Sequence, residues 1–309
     1  MAWLTKRVAS FYSPSCTTIC STPTCLPPLP VAPLPEIKSV QCAGCDLPCV
    51  HPSVPTTLNI DHLRPLRNTV PPYAIHLILM TGKSTWPAHI EDEGMAQALI
   101  NAINLRKSQK QKPDTPRTDT FRPANATDTQ LSERILVTNC SLPSVYSSQR
   151  NSMDILLMPD NVLIANVTPH RANELLDYVL GKPHVFETFP WSSASLVLVC
   201  GHGAKDRRCG TIGPMLKESL DQALEVEGIR TQVALVSHLG GHAFAGNLVI
   251  YLHNGQRAIW YGRVTPCLCP DIVQQSMAQD KVIDTLVRGV FEAGTTNVPQ
   301  KCLPASLEW

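Results

Sequence analysis

The sequence predicts a mixed α/β (α+β) fold in which one plan, strand–helix–strand–strand–strand–helix, is used twice. Three observations carry that reading. Apolar runs of strand length, AIHLILM (74–80), RILVTNC (134–140), SLVLVC (195–200) and TQVALV (231–236), are separated by longer stretches of helical character. The 309 residues suffice for two domains of ordinary size. Prolines are gathered at one end, 13 of 27 in residues 1–72, so the regular elements must lie beyond them.

The elements follow in order. Residues 1–35 read as a disordered or targeting segment, and 36–72 as an extended, cysteine-bearing entry to a first domain spanning 36–185. In that domain AIHLILM is a buried strand. EDEGMAQALINAINLRK (91–107) is a helix with acids in its first turn and cations in its last. The polar, proline-dotted stretch 107–130 is a surface linker. RILVTNC, DILLMP (154–159) and NVLIANV (161–167) are strands, and HRANELLDYVLG (170–181) is a helix stopped at Gly181. The second domain, 186–309 with its tail, repeats the plan. SLVLVC is a strand, and GPMLKESLDQALEVEG (213–228) is a helix with Pro214 near its first position. TQVALV is the next strand. LVIYLHNGQRAIWYGRV (248–264) is a hairpin turning at Asn254-Gly255, and 271–293 is a closing helix. A parallel strand pair followed by an antiparallel hairpin is the element order of a thioredoxin-like fold. The first domain reads as a degenerate copy without a recognisable site.

Composition excludes some functions. A formal net charge of +1 gives no electrostatic footprint for nucleic acid. The longest apolar runs are strand-sized, short of the roughly 18 residues of a spanning helix, so membrane insertion is not expected. The N-terminus carries Lys6, Arg7, many Ser and Thr, and no acid before Glu36. It fits a mitochondrial presequence as well as a plain disordered tail. No apolar segment follows those cations as in a secretory signal, so the sequons at Asn125, Asn139 and Asn166 read as chance matches.

Of the 12 cysteines, seven fall in suggestive groups: Cys42, Cys45 and Cys49; Cys200 and Cys209; Cys267 and Cys269. Such spacing reads as metal or redox chemistry before it reads as staples. Cys200 ends a strand and Cys209 lies in the loop CGHGAKDRRCGTIG that follows. His238 and His242 lie in the loop SHLGGHAFAGN after the next parallel strand. Gly240 and Gly241 argue against a helix there, at about 1 kcal/mol each relative to alanine. The carboxyl ends of adjacent parallel strands face one crevice, so the four residues can converge. Two thiolates and two imidazoles suit zinc or a [2Fe–2S] cluster, and the eight-residue gap between the cysteines is wider than in most zinc fingers. Lys205, Arg207 and Arg208 in the cysteine loop read as a partner-docking patch or as solvated loop cations.

CGHGAKDRRCGTIGP, HLGGHAFAGN and WYGRVTP together resemble the sucrase/ferredoxin-like group of thioredoxin-like ferredoxins. Within it the chain is most similar to the fungal altered inheritance of mitochondria protein 32 family. The resemblance implies a [2Fe–2S] cluster on Cys200, Cys209, His238 and His242, with both histidines on one iron and without the Rieske motif. It implies an electron carrier rather than a stand-alone enzyme, one that works with redox partner proteins and iron–sulfur assembly machinery. The place would be the mitochondrion or, alternatively, the cytosol, and the role thiol or iron–sulfur redox homeostasis. No G-x-G-x-x-G opens a helix after a strand, so no nicotinamide or flavin site of that kind is expected.

Other features leave alternatives. CAGCDLPC (42–49) lacks the preceding strand of a thioredoxin active site; zinc binding, a redox disulfide and inert thiols all remain. Cys267 and Cys269 could serve thiol exchange. Leu307-Glu308-Trp309 is similar to the tail by which cytosolic iron–sulfur clients are recruited. The rival functions are a structural zinc-binding interaction protein and a thiol oxidoreductase using these other cysteines. Nothing points to sucrose cleavage.

Overall fold

Each half of the sheet is built around one apolar strand that the sequence marks plainly. In the computed structural model, which describes residues 36–37, 52–110, 134–182 and 185–293, these strands sit near the centres of the two half-sheets. The elements run β1 (Glu36–Ile37), β2 (Ile75–Met80), α1 (Gly94–Lys110), β3 (Ile135–Cys140), β4 (Met153–Met158), β5 (Val162–Val167), α2 (Ala172–Val179) and β6 (Thr188–Pro190). Then come β7 (Leu196–Cys200), α3 (Arg207–Val226), β8 (Gln232–Val236), β9 (Leu248–Leu252), β10 (Arg257–Tyr261), α4 (Cys269–Asp271), β11 (Val282–Ile283) and β12 (Val287–Glu292).

The strands form a ten-stranded sheet in the order β12-β10-β9-β7-β8-β3-β2-β4-β5-β6. The same motif appears twice. β2 runs parallel to β3 and antiparallel to β4, with β5 beyond. β7 runs parallel to β8 and antiparallel to β9, with β10 beyond. This is the doubled plan read from the sequence. The two copies meet edge to edge where β3 pairs antiparallel with β8 at Cys140 and Val236. The seam is closed by Ser237 N–H donating to Asn139 O at 2.9 Å and Ser141 N–H to Leu235 O at 2.9 Å. Both central strands are buried along their whole length, as near-continuous apolar runs require.

Three expectations need correction. α3 begins at Arg207, not at residue 213, because Asp206 caps it: the Asp206 carboxylate accepts from Arg208 N–H at 2.9 Å. Pro214 therefore lies inside the helix, where its missing N–H leaves the Gly210 carbonyl without its usual intrahelical donor. The acids at 91–93 precede α1 in a 3₁₀ turn (Ile90–Asp92) rather than occupying its first turn. Residues 271–293 are not one helix. α4 runs into a π-helical turn, Ile272–Ala278, and Asp280 breaks the chain with a left-handed φ of 55°. The alternating run VRGVFE then pairs antiparallel with β10 as β12. An open sheet edge with unpaired amides outweighs weak helical periodicity there.

His76 shows how the buried polar groups are satisfied. Its Nδ1 meets the Tyr251 hydroxyl at 2.7 Å and its Nε2 the Thr138 hydroxyl at 2.9 Å. Burial pushes its pKa down to about 3. The unfolded chain binds this proton near the ordinary 6.5 and the folded chain does not, so the neutral ring's stability is complete above about pH 6.5. It is lost as pH falls from there toward 3. Denaturant midpoints measured from pH 7 to 4 should fall more steeply in the wild type than in His76→Gln. Parallel slopes would exclude His76 as the group responsible.

Candidate metal centre

The end of β7 delivers Cys200 into the crevice beyond the β7–β8 pair, and the first turn of α3 delivers Cys209 beside it. Cys209 is the third residue of the helix. Both thiols are buried, at 2% and 1% exposure, and they are not joined by a disulfide. The Cys209 thiol bonds to Cys200, which holds Cys200 well below the usual thiol range. His238 and the N–H groups of Leu239 and His202 add to the same effect. Cys209, which keeps the shared proton, is pushed up by that bond and by burial. The pair thus yields one proton readily and holds the second.

The opposing wall is the loop after β8. Gly240 and Gly241 both adopt left-handed backbone, φ 80° and 69°, a conformation glycine takes at little cost. A 3₁₀ turn, His242–Phe244, follows at once. The glycine pair folds the chain back so that the His238 and His242 rings lie 5.3 Å apart between centroids. His238 reaches Cys200, so the imidazole pair and the thiol pair adjoin. The His242 Nδ1 is buried without a hydrogen-bond partner, while its Nε2 looks toward Asp206 Oδ2 at 4.0 Å. Both imidazoles are half-buried, so the thiol side of the site is closed and the imidazole side is reachable.

These donors fit a soft or borderline metal group: two thiols that already share one proton, and an imidazole nitrogen aimed inward with nothing to bind. Among the described residues no three His, Cys, Asp or Glu side chains gather as a single-ion site. The arrangement is two adjoining pairs.

The flanking cations are partly spoken for. Arg208 forks onto Asp206, with Nε to Oδ1 at 2.9 Å and Nη2 to Oδ2 at 2.8 Å. That pairing is the main reason the Asp206 carboxyl sits below its usual range. Lys205 Nζ approaches His89 Nδ1 at 3.4 Å, and Arg207 is exposed. Cys269 is buried outside this site; burial pushes its thiol up, and its sulfur faces the Thr265 carbonyl at 3.7 Å. Cys267 is half-buried on the same turn. Cys42, Cys45, Cys49, Leu307, Glu308 and Trp309 lie outside the described residues.

Sequence reasoning missed three buried polar residues at the site: His202, Asn247 and Arg288. His202 donates from Nε2 to Pro87 O at 2.8 Å, tying the cysteine loop to the first half of the chain. Its position between Gly201 and Gly203 was the available signal. Asn247 and Arg288 stand behind the glycine pair, and an arginine within the apolar run VRGVF was the only hint of them.

The sucrase/ferredoxin-like family model matches residues 66–289. Altered inheritance of mitochondria protein 32 of Clavispora lusitaniae is 42% identical over 125 residues, covering 40% of this chain and 42% of that protein. The protein of the same name from Meyerozyma guilliermondii is 28% identical over 274 residues, covering 80% of this chain and 90% of its own. Among solved structures, a cysteine-to-serine variant of the thioredoxin-like [2Fe–2S] ferredoxin from Aquifex aeolicus matches 31% of this chain and 98% of its own. The identity is 16% and the TM-score 0.27.

Proposed function

The chain belongs to the sucrase/ferredoxin-like family, and from that premise we propose that it is a one-electron carrier whose [2Fe–2S] cluster is held by Cys200, Cys209, His238 and His242. The observation that carries this reading is the adjoining of a buried thiol pair and an imidazole pair, one imidazole nitrogen being buried without a partner. Bound there, such a cluster supplies one-electron transfer, at a potential raised by exchanging two thiolates for neutral imidazoles.

The chain's own residues define how that chemistry is reached. The thiols are closed off by β7 and α3, so a redox partner protein must approach the half-buried imidazoles. With Nδ1 of His242 turned inward, Nε2 is left facing Asp206 and the surface. That outward nitrogen is the group through which we propose electron transfer is coupled to proton transfer. Arg207 and Lys205 lie on the cysteine loop and would meet an acidic partner surface.

A carrier of this kind requires a donor protein, an acceptor protein and the machinery that assembles its cluster. The names of the relatives support a place in mitochondria, with the cytosol as the alternative; the role in thiol or iron–sulfur redox homeostasis is part of the proposal and follows from the donor set. Thiol exchange at Cys269 is disfavoured by its burial, which keeps the thiol protonated.

The test is spectroscopic. Protein purified without oxygen after iron-supplemented expression should show visible absorption that bleaches with dithionite, together with an S = 1/2 signal in low-temperature EPR. A colourless, EPR-silent sample carrying zinc would overturn the carrier reading in favour of a structural zinc-binding protein.

A further inference from the structure

Arg288 is a buried cation in a cavity built to hold it. It is 2% exposed. β10 and β12 slip register at this point: Trp260 pairs with Gly289 and Tyr261 with Val287, leaving Arg288 as the extra, bulged residue. A bulge re-aims its side chain, and here it sends the guanidinium inward. Two glycines leave the room. A Cβ on Gly262 would stand 2.8 Å from the Arg288 Cδ, and one on Gly241 would collide with the guanidinium. Gly262 has no left-handed φ, so space is the reason for glycine at that position.

The guanidinium donates to neutral acceptors. Nη1 reaches Gly240 O at 3.0 Å and Asn247 Oδ1 at 2.8 Å; Nε reaches the Thr69 hydroxyl at 3.0 Å, and Nη2 Thr69 O at 3.3 Å. Asn247 extends the network both ways. Its Nδ2 donates to Gly241 O at 2.9 Å, and its backbone carbonyl accepts from Cys200 N–H at 2.9 Å. The carbonyls of both glycines between the two histidines are thereby engaged. A buried charge with neutral partners costs several kcal/mol unless an anion faces it. Cys200 is tied into this network, its N–H donating to the backbone carbonyl of the Asn247 that Arg288 bonds, and ligand thiolates at Cys200 and Cys209 would be the negative charges acting on the guanidinium.

We propose that Arg288 is a positioning residue for the metal centre: it fixes the Gly240-Gly241 turn that presents His238 and His242, and it supplies the counter-charge that favours the more negative, reduced state. The counter-charge rests on the cluster reading above; the positioning does not. Burial lowers the guanidinium only to about 10, so it stays charged at neutral pH.

The experiment compares wild type with Arg288→Lys, Arg288→Met and Asn247→Asp in the full chain. Optical redox titration should show a lower midpoint potential in Arg288→Met, and in Asn247→Asp, whose carboxylate neutralises the guanidinium without emptying its cavity. Arg288→Lys should stay near the wild type. In metal-free protein the NMR ring signals of His238 and His242 should shift in Arg288→Met. If Arg288→Met fails to fold, Asn247→Asp and Arg288→Lys decide the potential. Unchanged potentials overturn the counter-charge, and unmoved ring signals in a folded variant overturn the positioning. A wild type without a cluster overturns the proposed function and the counter-charge with it, and the ring signals then decide the positioning alone.

Discussion

Cys200→Ser is expected to remove the proposed cluster, with bound iron falling by more than about tenfold, since changing only the neighbour of a ligand already costs about 10- to 100-fold in metal affinity. The reason lies in what surrounds the sulfur. Cys200 accepts from Cys209, His238 and the N–H groups of Leu239 and His202, so the site is arranged for a thiolate at that position. A serine hydroxyl keeps its proton, and an alkoxide is unavailable near neutral pH. The fold should survive, because serine is no larger than cysteine and the strand hydrogen bonds of β7 are untouched. Exchanging the other pair has a different outcome. His238→Cys with His242→Cys adds thiolate charge, so the cluster should be kept and its potential should fall. Iron and sulfide analysis, visible absorption and redox titration read both results. Full iron content with an unchanged spectrum in Cys200→Ser would remove Cys200 from the ligand set.

The meeting of the four candidate ligands was legible because their residue types are rare and their spacing is local. Two cysteines with eight residues between them and two histidines around a glycine pair can be read without a fold, and the parallel pair β7–β8 brings them together from adjacent strand ends. The doubled strand plan was legible for a similar reason: AIHLILM, His76 apart, and LVLVC are near-continuous apolar runs, as strands buried on both faces must be. What stayed hidden depends on long-range pairing. The segment after residue 279 has apolar residues at intervals a helix could use, and only the open edge of β10 makes it a strand. Arg288 was hidden for the same reason, since its inward direction comes from a bulge between strands that lie 26 residues or more apart in the chain. The start of α3 was misread for a local reason. Asp206 was available as an N-cap, but Gly210, Gly213 and Pro214 disguised the first two turns as loop.

Those glycines set up the second large effect. Gly213→Ala is expected to destabilise the protein by up to about 2 kcal/mol, although alanine in a helix is favoured by about 1 kcal/mol over glycine. Packing reverses the sign. A Cβ on Gly213 would lie 2.5 Å from Cys200 O, 2.8 Å from Gly201 Cα and 3.2 Å from Cys200 C. All three are backbone atoms of the strand end that carries the first cysteine, and none can rotate away as a side chain would. Overpacking of this kind costs about 1–3 kcal/mol before any gain in helix propensity is subtracted. The strain is relieved only by moving α3 away from β7, and that motion separates Cys209 from Cys200. Stability and iron content should therefore fall together. Gly228→Ala provides the contrast. Gly228 has a left-handed φ of 67° just beyond α3, and its Cβ would meet nothing within 4 Å. Its cost is backbone strain alone, about 1–2 kcal/mol, and its iron content should match the wild type. Denaturant unfolding and the iron-to-protein ratio of the two variants separate helix stability from helix placement. Equal iron content in both variants would show that the close seating of α3 on β7 does not set the spacing of the two thiols.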